Sequence, residues 1–303
     1  MLTRRRVVPI VDPRCPARRG GTRPGAGTVE RPPHPDRDAR TNEGDDVGTI
    51  ESHGLRIRPV AGALGAEILG VDLHHLDDAT LAAVRSVLVD HEVVYFRGAH
   101  LDADAHLALA ARLGPLRPFP IRRLLGDDTP GVSVITDGGD VRPQADDWHT
   151  DVTWTADPPE FAVLRATLVP ERGGATLWAS MTAAFEALSP PIAELLCRLT
   201  VHHDNTSFIA GLIESMGADT AEELDLPERL RRGYPGVEHP LVRTHPESGR
   251  RAILWGGRFM RHVVGLSPVE SASVLELVER HVSDPRFACR WDWELSLIHI
   301  SEP

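Results

Sequence analysis

The chain has 303 residues, of which 41% are hydrophobic and 25% are charged, and its formal net charge is −11. These values are typical of a soluble globular protein with a buried core, and the acidic balance argues against nucleic acid or an anionic membrane as a partner. No apolar run approaches the roughly 20 residues of a membrane span. Three scattered cysteines and the lack of a secretory pattern favour a reducing cytoplasm, without a disulfide framework or a cysteine metal site. A homo-oligomer is compatible with this sequence.

The first 48 residues differ from the rest of the chain. Residues 1–40 contain ten Arg, seven Pro and four Gly but only four acidic residues. Such a segment cannot bury enough apolar surface to offset the entropy of ordering it. We therefore predict a disordered tail over residues 1–48, or sequence upstream of the true start. A nucleic-acid-binding arm is less favoured, because no aromatic residues separate the arginines.

Short strands and a few helices are predicted from residue 49 onward. Alternating or short apolar runs predict strands at 55–60, 65–73, 92–96, 132–136, 161–169, 175–180, 240–244 and 252–255. Helices are predicted after Asp77, after Asp102, at 181–198 and at 267–282. Residues 205–236 have the composition of an insertion that forms a lid. The pattern predicts a β-sandwich or barrel with helical additions, and the lack of strand–helix alternation disfavours a Rossmann or P-loop enzyme.

One tripeptide pattern, His-x-Asp, offers candidate metal ligands. Its copies include His34/Asp36, His100/Asp102, His149/Asp151 and His202/Asp204. The first copy lies in the Pro-rich tail, and the second is better explained by a helix cap at Asp102. The fourth copy, at the end of a predicted strand, is an alternative candidate for the metal ligands. On a strand, residues i and i+2 point to the same face, so His149 and Asp151 would project into one cavity. From spacing alone, an ordinary polar pair at a strand end is still the favoured interpretation.

Longer motifs give that pair its context. "WHTDVTW" is followed in order by "PPEFAVLRATLVPERGGATLWAS", "HPLVRTHPESGRRAILW" and "FMRHVVGLSPVESASVLELVERHVSDPRFACRWDWE". From about Leu55 to Glu294 the chain resembles the taurine dioxygenase (TauD/TfdA) family of Fe(II)- and 2-oxoglutarate-dependent oxygenases. The resemblance implies a mainly β fold with helical additions, the double-stranded β-helix or jelly roll, and a dioxygenase domain over residues 49–294.

The resemblance also implies the cofactors and the residues that hold them. Two His and one carboxylate on one face of Fe(II) leave three positions, two for 2-oxoglutarate and one for O₂. By match to the family motif, His149 and Asp151 are the first two iron ligands, and the hydroxyl of Thr176 binds the 2-oxoglutarate carboxylate. Trp178, on the same face, is expected to line the substrate site. Without the resemblance, Thr176 and Trp178 would be taken as ordinary strand and core residues.

The end of the sequence departs from the family pattern. After "RWDWE" the family continues with a Trp-Asp-Asn-Arg-x-x-x-His strand, which supplies the third iron ligand, and with a later Arg that binds 2-oxoglutarate. This sequence continues instead with "LSLIHISEP". We therefore predict that residues 295–303 are a non-family tail and that His299 is not a ligand. We also predict an incomplete domain with an unpaired sheet edge, weak iron binding and no activity.

Taurine itself is not the expected substrate. Taurine-specific members of the family hold the sulfonate with His, Tyr and Asn side chains, and Phe119, Arg122 and Ala145 stand at the matching places here. Arg122 and Arg123 either bind a small anionic substrate through paired N–H bonds or lie in a solvated loop. Phe259 matches an apolar substrate-contact position. The expected substrate is an alkyl sulfate or a sulfonate other than taurine.

Two other functional classes fit the residues. One is a non-catalytic β-sandwich binding protein, which would bind neither Fe(II) nor a surrogate divalent ion. The other is a metal-dependent hydrolase that uses His149, Asp151 and either His202 or His203. A hydrolase would need neither 2-oxoglutarate nor O₂.

Overall fold

The structure, a computed structural model, describes residues 48–124, 126–127, 129–135, 147–216, 223, 225–295 and 298–301. The chain divides into two units, Met1–Gly48 and Thr49–Pro303, and the architecture below is that of the second unit. The predicted tail up to residue 47, the His34/Asp36 pair and Ala145 lie outside the described residues. In the part of the chain that is described, no helix combines the length and apolar character needed to cross a membrane.

The described strands form two larger sheets and two antiparallel pairs. In chain order the strands are β1 (Ile50–Ser52), β2 (Leu55–Pro59), β3 (Ala66–Leu69), β4 (Val93–Phe96), β5 (Ala162–Arg165), β6 (Thr176–Ala179), β7 (Thr200–His203), β8 (Val237–Pro240), β9 (Val242–Thr244), β10 (Arg251–Ile253), β11 (Met260–Val263), β12 (Ala288–Trp291) and β13 (Ile298–Ser301). A mixed sheet has the order β1-β2-β3-β4-β13-β5, with β3 and β4 parallel. An antiparallel sheet has the order β11-β7-β8, and β9 pairs with β10 and β6 with β12. The predicted mainly β architecture with helical additions is confirmed.

The helices begin where the sequence provides caps. The described helices are α1 (Asp78–His91), α2 (Ala103–Leu113), α3 (Pro120–Leu124), α4 (Met181–Glu186), α5 (Pro190–Leu196), α6 (Thr206–Met216), α7 (Leu226–Gly233) and α8 (Pro268–Val282). Asp77 and Asp102 cap α1 and α2 by accepting backbone N–H bonds with their side chains. Ser267 and Glu270 form the predicted capping box of α8. These caps bind amides that have no partner within the helix itself.

The core of the mixed sheet lies against α1 and α2. Leu88 of α1, Val94 and Phe96 of β4 and Leu109 of α2 are at most 4% exposed and belong to one apolar cluster. Burial of each such side chain contributes roughly 1.5–3 kcal/mol. The short run predicted as a strand at 92–96 is therefore a buried strand inside the sheet.

A second core lies between the antiparallel sheet and helices α4 and α8. Val201 of β7, Val263 of β11 and Val278 of α8 are each at most 1% exposed and pack together. Because successive strand residues point to opposite faces, the buried face of β7 that carries Val201 also carries His203. This face is the one that adjoins the candidate site.

The end of the described chain is part of the mixed sheet. β13 pairs antiparallel with β4 on one side and with β5 on the other, and Ile298 and Ile300 are both fully buried. Residues 298–301 therefore supply the strand that joins β4 to β5, so no gap is left between these two strands, while the incomplete domain and the non-family tail stay predictions. His299 lies on β13 opposite Tyr95 and Leu164, and its side chain is outside the described part of the structure.

Two predicted elements differ from the structure. Residues 131–135 form no strand, and Val134 and Ile135 are 84% and 79% exposed, so the strand predicted at 132–136 is wrong over its described part. The helix predicted at 181–198 is divided into α4 and α5, because Pro190 starts a new helix rather than continuing the first. Apolar side chains alone did not distinguish a strand from an exposed loop.

Candidate active site

The two predicted metal ligands lie side by side on a turn, not on a strand. Nε2 of His149 is 3.3 Å from Oδ1 of Asp151, and residues 151–154 form a turn. Val152 has a φ of +57°, a left-handed conformation that is rare for a β-branched residue. The expected convergence of the two side chains is present, but the turn at Val152 produces it and not the alternation of a strand.

Hydrogen bonds orient the imidazole of His149. Its Nδ1 lies 2.8 Å from the carbonyl oxygen of Asp147, which can only accept, so Nδ1 donates and Nε2 faces Asp151. The hydrogen bond to Asp151 raises the pKa of His149, while burial acts in the opposite direction. A metal ion bound at Nε2 would take the place of the proton there. The side chain of Asp151 is 69% exposed, so the pair is open to solvent on its carboxylate side.

The metal loop, residues 147–155, lies directly on the chain that follows β10. The amide of Thr150 donates to the carbonyl of Trp255 at 2.8 Å. A Cβ added at Gly256 would lie 2.5 Å from Oγ1 of Thr153, and a Cβ at Gly257 would overlap the carbonyl oxygen of Trp148. Gly257 also has a φ of +55°. Two glycines are therefore needed here for the close approach of the two backbones.

Two buried histidines contact the metal loop from the antiparallel sheet. Nδ1 of His203 lies 3.0 Å from Oγ1 of Thr153, and Nε2 of His239 lies 2.8 Å from the carbonyl oxygen of Thr153. His203 and His239 are 1% and 2% exposed. Burial lowers the pKa of His203 to about 3, and the neighbouring His239 and Arg243 act in the same direction. Burial and the charge of Arg243 also lower the pKa of His239. From the sequence, His203 was considered only as a ligand of the alternative hydrolase site, and His239 was not predicted at all.

An aromatic wall, formed by Trp154, Phe208, Tyr234 and Phe259, adjoins the ligand pair. The ring of Trp154 lies 5.6 Å from that of Phe208 and 4.9 Å from that of Tyr234. Phe259 meets the imidazole of His149 edge-on at 6.3 Å, and it shares an apolar cluster with Trp154. Phe208 lies on α6 and Tyr234 follows α7, so the insertion predicted at 205–236 packs against the metal loop.

The predicted substrate residues Phe119 and Arg122 lie beside this wall and in its flanking helix. Phe119 is 40% exposed, and its ring meets that of Phe208 at 5.9 Å. Nε and Nη2 of Arg122 donate to Oδ2 of Asp127 at 3.1 and 2.6 Å. A substrate anion would have to displace that carboxylate, which favours the solvated-loop interpretation of Arg122.

Thr176 and Trp178 lie on β6, and Trp178 packs in the apolar cluster of Tyr95 and not in that of the aromatic wall. Nε1 of Trp293 donates to Oγ1 of Thr176 at 2.8 Å. The ring of Trp178 meets that of Tyr95 edge-on at 5.7 Å. The roles of Thr176 in 2-oxoglutarate binding and of Trp178 in substrate binding remain predictions.

His149 and Asp151 fit two of the three protein ligands of an Fe(II) site. They provide an imidazole nitrogen and a carboxylate oxygen 3.3 Å apart, the two donor types that such a site uses. Among the described side chains, no group of three His, Cys, Asp or Glu residues is arranged to hold a metal ion. The described residues therefore offer candidates for two of the three protein ligands that the resemblance implies.

The competing His-x-Asp motif, His202 and Asp204, has other partners. His202 stacks on His262 of the neighbouring strand at 5.3 Å. The carboxylate of Asp204 accepts from Nε of Arg261 at 2.5 Å and from the amide of Thr206 at 2.9 Å. With His203 bound to the metal loop through Thr153, a hydrolase site that combines this motif with His149 has no support in the geometry.

Comparison with known proteins agrees with the geometry. Residues 56–296 match the family described as "Taurine catabolism dioxygenase TauD, TfdA family". The chain is 36% identical over 252 residues to the alpha-ketoglutarate-dependent sulfate ester dioxygenase of Pseudomonas putida, covering 81% of this chain and 80% of that protein. It is 30% identical over 247 residues to an alkylsulfatase of Acinetobacter baylyi, covering 79% and 74%. A taurine dioxygenase structure from Burkholderia xenovorans superposes with a TM-score of 0.65 at 31% identity, covering 82% and 80%. The family match includes the metal loop and the aromatic wall.

Proposed function

Because the chain belongs to the TauD/TfdA family of 2-oxoglutarate-dependent dioxygenases, whose co-substrates are 2-oxoglutarate and O₂ with Fe(II), we propose that it oxidises sulfate esters of apolar alkyl chains. Membership in this family of enzymes decides against the non-catalytic binding protein and the hydrolase. It also supports a double-stranded β-helix as the arrangement of the sheets.

The observation that carries the substrate class is the contact between His149 and the aromatic wall. The rings of Phe259 and His149 are perpendicular with their centroids 6.3 Å apart, and Phe208 of the same wall meets the ring of Phe119. An alkyl chain packed along these rings gains about 0.8 kcal/mol for each buried CH₂ group. The relatives in Pseudomonas putida and Acinetobacter baylyi are named for sulfate ester and alkyl sulfate chemistry, which supports a sulfate at the other end of that chain.

The reaction that follows from this class releases sulfate by oxidation. With Fe(II), 2-oxoglutarate and O₂ bound, one oxygen atom enters a substrate C–H bond while 2-oxoglutarate becomes succinate and CO₂. If the hydroxyl is placed on the carbon that bears the sulfate oxygen, the C–O bond to sulfate breaks and the hydroxyl proton is lost. The products are then an aldehyde and inorganic sulfate.

In that scheme, the residues of this chain bind the metal and orient the substrate. His149 and Asp151 would hold the metal through Nε2 and the carboxylate, and the hydrogen bond of Nδ1 to Asp147 leaves Nε2 facing Asp151, where the metal would replace its proton. The aromatic wall excludes water from the alkyl side. Phe119, Arg122 and Ala145 stand where taurine-specific members hold the sulfonate with polar side chains, so taurine is expected to be a poor substrate.

The test is succinate formation with n-hexyl and n-dodecyl sulfate, taurine and 1-hexanol as substrates. We expect kcat/KM for the alkyl sulfates to exceed that for taurine by at least about 100-fold, the discrimination a site shows when polar partners are absent. Inorganic sulfate and succinate should form in equal amounts, and 1-hexanol should be inert. A preference for taurine, or sulfate release without 2-oxoglutarate, contradicts the proposal. Mn²⁺ bound through His149 without succinate from any of these substrates would also contradict the proposal.

A further inference from the structure

A buried histidine and a half-buried arginine from two consecutive strands form a hydrogen-bonded unit against the metal loop. His239 lies on β8, Arg243 on β9, and Nε2 of His239 lies within hydrogen-bond distance of two carbonyl oxygens, 2.8 Å from that of Thr153 and 3.0 Å from that of Thr155. We propose that His239, oriented by Arg243, is a positioning residue that fixes the metal loop in the shape that brings the two ligands together. The inference rests on the proposed function, since it takes His149 and Asp151 as the metal ligands.

The direction of the hydrogen bonds follows from the chemistry of the partners. Nη2 of Arg243 lies 2.5 Å from Nδ1 of His239, and a guanidinium has donors but no acceptor. Nδ1 therefore accepts, and the single hydrogen of the neutral imidazole is on Nε2. Nε2 in turn faces only carbonyl oxygens, which accept. Arg243 thus selects the tautomer in which His239 donates to the metal loop.

The two carbonyls that His239 binds stand immediately after the strained part of the turn. Val152 is held at a φ of +57°, and both the amide and the hydroxyl of Thr155 donate to its carbonyl oxygen, at 3.0 and 2.9 Å. A left-handed conformation at a β-branched residue persists only where the surroundings hold it. The N–H at Nε2 of His239, shared by the carbonyls of Thr153 and Thr155, holds the turn in place from the side of the sheet.

Burial indicates that this contact has a purpose beyond filling the core. His239 is 2% exposed and Thr153 is fully buried. A buried imidazole and a half-buried guanidinium carry a desolvation cost that an apolar side chain of similar size does not. Such groups are retained where their hydrogen bonds select one arrangement of the chain, and here that arrangement places the ligand pair.

Hydrogen exchange tests the positioning role without any metal. In His239→Leu, the amides of residues 148–156 are expected to exchange at least about 10-fold faster than in the wild type, because the shared donor is lost. In His239→Gln, which keeps an N–H donor and an acceptor for Arg243, exchange should stay within about 3-fold of the wild type. The matched control is Ser271→Ala, which removes a buried hydrogen bond to the amide of Val263, away from the loop.

A second measurement connects the loop to the metal. The dissociation constant for Mn²⁺ should rise by about 10- to 100-fold in His239→Leu, and by less in Arg243→Met, as is found when outer partners of a metal site are removed. His239→Gln and Ser271→Ala should bind Mn²⁺ as the wild type does. Uniformly faster exchange in every segment of His239→Leu, or unchanged exchange in residues 148–156, overturns the inference. If wild-type Mn²⁺ binding is insensitive to His149→Ala, the proposed function fails instead, and the exchange data still decide the positioning role.

Discussion

Nδ1 of His203 lies 3.0 Å from Oγ1 of Thr153, fifty residues earlier in the chain, and both side chains are buried. The hydrogen bond joins the inner face of β7 to the loop that carries His149 and Asp151. Substitutions on this inner side of the loop therefore alter the ligand pair without touching it.

The ligand pair gives the most direct prediction. His149→Ala and Asp151→Ala should each raise the dissociation constant for Mn²⁺ by at least about 10-fold, because each removes one of the donors. His202→Ala is the control, since its ring stacks on His262 on the outer face of the sheet. Isothermal titration of the three variants decides the point, and wild-type affinity in either of the first two would contradict the assignment. Substrate-dependent succinate formation should follow the same order.

The two glycines beside the loop should resist substitution. Gly256→Ala places a Cβ 2.5 Å from Thr153 and 2.7 Å from Nδ1 of His203, which is expected to cost about 1–3 kcal/mol of unfolding free energy. Gly62→Ala is the matched control, since nothing lies within 4 Å of its added Cβ. Denaturant unfolding gives the comparison. Equal stability of the two variants would mean that the loop and β10 are not held this closely.

The aromatic wall should set the preference for chain length. Phe259→Leu shortens the apolar surface next to His149, so kcat/KM for n-dodecyl sulfate should fall by about 10-fold, the effect of a small change in an apolar pocket. The value for n-hexyl sulfate should fall less. Leu195→Ala, at a side chain 45% exposed on α5, serves as the control. An equal fall for both substrates would show that Phe259 supports the fold and not the alkyl chain.

The buried His203 predicts a loss of stability in mild acid. Above pH 6.5 it is neutral in both states. Below pH 6.5, His203 is protonated in the unfolded chain but stays neutral in the folded protein until the pH approaches its folded-state pKa of about 3. The free energy of unfolding should therefore fall by about 1 kcal/mol per pH unit from this group as pH decreases below 6.5. His203→Asn keeps a partner for Thr153 without titrating, so the slope between pH 6.5 and 5 should be smaller in that variant. Parallel slopes would contradict the assignment of this effect to His203.

A single large-to-small substitution tests whether the strand at the end of the described chain lies inside the sheet. Ile300 is fully buried between Val94 of β4 and Val163 of β5. Ile300→Ala should therefore cost about 2–5 kcal/mol of unfolding free energy. Ile50→Ala, at a residue 50% exposed on β1, is the control. Equal stabilities would mean that residues 298–301 do not lie inside the sheet.

The sequence determined what depends on neighbouring residues and on motif order. The starts of α1, α2 and α8 were predicted from Asp77, Asp102 and Ser267, because a cap bonds to amides two or three positions away. The family followed from several motifs in the right order, and the family match confirms it. His149 and Asp151 could be named from the same motifs as candidate ligands.

Only the tertiary structure decided the features that join distant parts of the chain. Residues 131–135 form no strand and include exposed side chains, whereas residues 298–301 form a strand with two buried isoleucines. Both segments nevertheless contain apolar residues in the sequence. The bonds from His203 and His239 to Thr153 span 50 and 86 positions. No local pattern encodes such contacts, because they exist only once the sheet brings β7 and β8 back against the metal loop. The residues that hold the candidate ligands in place are thus set by packing, while the ligands themselves are visible in the sequence.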